Sequence, residues 1–114
     1  MAGGIAALVA GSLALLVVAA PAGADEAARR GEAVVEQWCR MCHLRADQEP
    51  DPDLAPPYED IVMIPGRDRA YFERFLEEDH FPMTTFRLFD HEKADVVAYL
   101  LALQERERRR QSAR

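Results

Sequence analysis

Apolar residues in the stretch Asp25 to Trp38 fall at Ala27, Gly31, Val34, Val35 and Trp38, with Glu26, Arg29, Arg30, Glu32 and Glu36 between them. Intervals of three and four place the first set on one face of a helix and the charges on the other. Gly31 is a poor residue for a helix interior, and a close crossing by a second helix is the use that suits it. From Leu44 to Pro65 the pattern breaks at Pro50, Pro52, Pro56, Pro57 and Pro65, which predicts a loop. Within it, Tyr58 to Ile64 has room for one or two helical turns, with Ile61, Val62 and Ile64 facing inward.

A helix is predicted over Gly66 to Glu78, with Tyr71, Phe72, Phe75 and Leu76 apolar. Acids at Glu77, Glu78 and Asp79 oppose the macrodipole and predict fraying at its end. His80 to Phe89 is a second loop, unusually apolar for an exposed connection, which suggests that it covers something hydrophobic. Asp90 is the predicted N-cap of a last helix running to about Arg106, with Glu92 in the first turn. Its buried stripe is Ala94, Val97, Leu100 and Leu101, supplemented by Val96, Tyr99 and Leu103. Gln104 to Arg114 alternates Glu and Arg and then turns basic, the pattern of a solvated helix end; docking through Arg108, Arg109 and Arg110 is the alternative. No stretch alternates as a strand would, so the expected fold class is all-α.

The beginning of the chain follows a different rule. Ile5 to Ala20 is an apolar run too short for a comfortable membrane span, and it ends at Ala22-Gly23-Ala24, a small-residue cleavage site before Asp25. Residues 1–24 therefore read as a signal peptide that is cleaved, with an uncleaved anchor as the alternative, although Met1 to Gly4 lacks the usual positive charge. Residues 25–106 are then one small exported domain, periplasmic in a bacterium, with 107–114 a basic C-terminal tail. All 20 acidic and 14 basic residues lie beyond residue 24, so the mature domain keeps the net charge of -6. Such a surface disfavours nucleic acid and anionic lipid and favours a basic partner face. A chain this short buries a modest core, and a bound apolar group would add to it.

The candidate chemistry sits where the first helix ends. Cys39-Arg40-Met41-Cys42-His43 has the C-x-x-C-H arrangement of covalent haem attachment. Two thiols three positions apart near a helix end each reach one haem vinyl group, and the next imidazole is directed at the iron from the same side. A thioredoxin-like dithiol belongs beside a βαβ pattern, which this chain lacks. Zinc would need His43, His80 or His91 to complete four ligands, at no recognised finger spacing.

On these residues the mature chain resembles a class I monohaem c-type cytochrome over essentially its whole length. Gly31, Val35 and Cys39 have the spacing of that family's first helix, although an aromatic often stands where Val35 does. Val96 and Tyr99 match the apolar and aromatic pair with which its last helix crosses the glycine. Ala55-Pro56-Pro57-Tyr58 is similar to the family's proline loop, whose carbonyl accepts the other ring N–H of the proximal histidine. The resemblance assigns that role to Pro56 and would orient His43. It implies a small bundle of three to four helices wrapped around one covalently attached haem c.

The sixth iron ligand has five candidates: Met41, Met63, Met83, His80 and His91. Met41 is held on the proximal side, Met63 lies in an apolar run that reads as core, and His91 lies at a helix start. His80 would give bis-histidine ligation. Met83, after Pro82 in the apolar loop, stands where the family places its distal methionine. A thioether favours Fe(II), raises the potential and leaves no open position for oxygen chemistry. The expected function is electron transfer through iron cycling between Fe(II) and Fe(III), with no enzymatic activity and no small-molecule substrate. His43 and Met83 would bind the metal, and Cys39 and Cys42 the porphyrin. The partners would be redox proteins, and the mature form would have no membrane span. A cytochrome subunit of a periplasmic dehydrogenase and a haem-based redox or ligand sensor are the alternatives.

Overall fold

The computed structural model describes residue 1, residues 22–78 and residues 87–114. Most of the expected leader, together with His80 and Met83, lies outside the described residues. Within them the chain is helical and has no strands. Four helices follow one another: α1 (Ala22–Trp38), α2 (Tyr58–Ile61), α3 (Arg69–Glu77) and α4 (Asp90–Ser112). No helix among the described residues is long and apolar enough to cross a membrane.

The first and last helices make the main packing contact, and α4 also touches α2 and α3. Gly31 is the reason that α1 and α4 approach closely. A Cβ built there would sit 1.9 Å from the carbonyl oxygen of Asp95 and 2.8 Å from the backbone nitrogen of Val96. Only a residue without a side chain allows this approach. Beside the crossing, Arg30 donates two hydrogen bonds to the Asp95 carboxylate, at 2.8 and 2.9 Å, which fixes the rotation of one helix against the other.

Val35, Val62, Phe72, Val96, Val97, Tyr99, Leu100 and Leu103 form the buried core with Tyr58 and Leu76. Burial of these side chains is the dominant stabilising contribution. The stripe on α4 differs from the periodicity reading at two positions, since Ala94 is exposed and Leu101 is half-buried. On α1, Trp38 is 45% exposed, because as the last helical residue it stands at the edge of the packed face. Ile64, in the turn after α2, also faces solvent.

Helix boundaries shift for local reasons. Asp68 caps α3, its Oδ1 accepting from the Tyr71 amide at 2.8 Å, and Gly66 makes the preceding turn with a φ of 83° that favours glycine. Phe89, rather than Asp90, occupies the N-cap position of α4, and Glu92 Oε2 reaches back to accept from its amide at 2.8 Å. At the other end α4 continues past Arg106 to Ser112, with ion pairs Arg109–Glu105 and Arg110–Glu107 along the surface. Arginines in the last turn also suit the negative end of the helix dipole.

Gln104 alone departs from the solvated reading of its segment, whose other residues are exposed or half-buried. It is buried, and its Nε2 donates to the carbonyls of Val62 and Arg67, each at 2.7 Å. One amide on α4 thus ties down the turn that connects α2 to α3.

Candidate functional site

Cys39 to His43 continue the turn of α1 without a break. The Cys39 amide donates to Val35 O at 2.9 Å, and the His43 amide donates to Cys39 O at 2.9 Å. Both thiols are free of disulfide bonding; Cys39 is half-buried against the core and Cys42 is exposed. The loop after the motif then comes back beside it. The Ala55 amide donates to Cys42 O at 2.8 Å, and His43 and Ala55 form an isolated parallel bridge.

This return places the Pro56 carbonyl 2.9 Å from Nδ1 of His43. A carbonyl only accepts, so Nδ1 carries the proton and Nε2 is the basic nitrogen of the ring. His43 is buried, and its face is covered by the Tyr58 ring, with centroids 4.4 Å apart and planes at 20°. Proline at 56 and 57 explains why the loop delivers a carbonyl here. Pro57 stands at the N-cap position of α2, holds its predecessor extended and starts the helix that carries Tyr58.

Charges outside the imidazole brace the turn. Glu36 accepts from Arg40 Nε at 3.1 Å and from Arg45 Nη1 at 2.8 Å, with Arg45 Nη2 on its second oxygen. The Arg45 hydrogen bond, reinforced by Arg40, holds the Glu36 carboxyl below the ordinary carboxylate range. Arg40 also donates to Leu44 O at 3.2 Å, and its guanidinium carbon lies 5.5 Å from the centre of the Tyr58 ring. Burial pushes the Cys39 thiol up. Burial pushes the Tyr58 hydroxyl far up, so it stays protonated and able to donate.

The structure therefore gathers Cys39, Cys42, His43 and Pro56 at the junction of α1 and the proline loop. Met83 and His80 lie outside the described residues. Among the other methionines, Met63 packs half-buried against the core, whereas Met41 is 78% exposed. His91 is exposed and stacks on Phe89, with centroids 5.7 Å apart. Periodicity and motif reading miss the site roles of Tyr58, Arg40 and Glu36. The signal available for Tyr58 is its place directly after Pro56-Pro57.

The donor set fits a haem attached through the motif. Two thiols outside any disulfide follow α1 at the required spacing, and the adjacent imidazole has its Nδ1 proton engaged by a backbone carbonyl, which leaves Nε2 as the nitrogen that would face a metal. For zinc, no group of three or more His, Cys, Asp or Glu side chains is suitably placed among the described residues. Comparison with family models, with curated proteins and with solved structures returns no match.

Proposed function

We propose that the chain is an exported electron carrier, a class I c-type cytochrome with one haem held by thioethers to Cys39 and Cys42. The observation that carries this reading is the hydrogen bond from His43 Nδ1 to the Pro56 carbonyl, 2.9 Å long, within a C-x-x-C-H turn. It fixes the tautomer and the ring direction of the one imidazole in the motif and raises its basicity, as hydrogen-bond acceptors at the other ring nitrogen of metal-bound histidines do. When bound, the haem supplies a one-electron Fe(II)/Fe(III) couple.

The chain's own residues have distinct parts in this function. Cys39 and Cys42 hold the porphyrin edge, His43 is the proximal ligand, and Pro56 sets its orientation. Met83 is assigned as the distal ligand on the strength of its place after Pro82. A methionine there closes the coordination sphere, which suits electron transfer and opposes peroxidase-like chemistry. The net charge of -6 favours a redox partner with a basic docking face in the periplasm.

The test is a redox titration of the exported protein combined with exposure of its reduced form to carbon monoxide. A reversible one-electron couple, with a spectrum unaltered by carbon monoxide at neutral pH, is expected. Ready binding of the gas would instead favour a ligand sensor.

A further inference from the structure

Tyr58 touches more of the motif than any packing role requires. Its ring lies on the face of His43, with centroids 4.4 Å apart and planes at 20°. Arg40, from between the two cysteines, approaches the same ring. The residue is 6% exposed, so the stack is closed off from bulk water.

We propose that Tyr58 is a positioning residue for the haem site, fixing the plane of the His43 imidazole with its ring. The proposal rests on the haem reading above and adds a residue to it. Pro56 holds the imidazole at one edge through a single hydrogen bond, about which the ring can still rotate. A ring stacked at 4.4 Å and nearly parallel stops that rotation.

The experiment compares Tyr58→Phe and Tyr58→Leu with the unmutated haem-loaded protein, reading by NMR the rate at which the His43 Nδ1–H exchanges with solvent. Tyr58→Phe keeps the stacked ring, so slow exchange should persist. Tyr58→Leu removes the stack, so exchange should quicken at least about tenfold as the Pro56 bond opens more often. Unchanged exchange in Tyr58→Leu, or equal quickening in Tyr58→Phe, would overturn the proposal. Should Tyr58→Leu fail to fold, Tyr58→Met, which also lacks the ring, takes its place. Absence of attached haem from the unmutated chain would overturn the underlying reading and this proposal with it, whereas a loaded protein whose exchange is indifferent to loss of the ring would overturn only the proposal.

Discussion

Gly31 and Asp95 touch backbone to backbone: a Cβ on Gly31 would stand 1.9 Å from the Asp95 carbonyl oxygen. Two effects compete when Gly31 is replaced by alanine. Helix propensity favours alanine by about 1 kcal/mol. Against it, the obstruction is backbone, which no rotamer change relieves, and such overpacking costs about 1–3 kcal/mol or more. Gly31→Ala should therefore be destabilising, by up to about 2 kcal/mol net, read as a lower denaturant midpoint at unchanged m. A neutral or stabilising alanine would mean that α1 and α4 are further apart than described.

Gln104 gives a second prediction about the fold. Replacing it with leucine preserves much of the volume but removes the donor from the carbonyls of Val62 and Arg67. Leaving the buried Val62 carbonyl without its donor costs about 1–3 kcal/mol and the part-buried Arg67 carbonyl adds less, so Gln104→Leu should lose about 2–3 kcal/mol in equilibrium unfolding. Gln111→Leu, at an exposed position of the same helix, should change stability by less than about 0.5 kcal/mol.

These two residues differ in how far the sequence reveals them. Gly31 is legible because a glycine within an amphipathic helical pattern has few uses, and its spacing to Val35 and Cys39 sets it in a recognisable helix. Val96 and Tyr99 are legible from their spacing in the last helix. Gln104 is not, because an amide beside Glu105 and Arg106 looks like the beginning of a solvated tail. Its partners are turn carbonyls far along the chain, and no periodicity records them. Tyr58 is obscure for the same reason: loop closure brings its ring to His43. Trp38 fits the helical spacing yet stands exposed, since spacing gives a direction around the helix and says nothing about where the covering element stops.

Met83 and Met63 are separated by a spectroscopic substitution test. Met63 packs half-buried against the core, and Met63→Leu is a volume-conserving exchange expected to cost less than about 1.5 kcal/mol. It should leave the near-infrared sulfur-to-iron charge-transfer band of the oxidised protein in place. Met83→Leu should abolish that band. The reverse pattern would move the distal ligand to Met63.

Covalent attachment is where the account is most exposed. The chain should be exported from a host equipped for haem maturation, denatured and extracted with acid–acetone, and its haem content then measured. Because Cys39 and Cys42 each form a thioether, the unmutated protein should retain its haem, and the variant carrying both Cys39→Ala and Cys42→Ala should not. Haem that is released from the unmutated protein, or never acquired by it, would contradict the account.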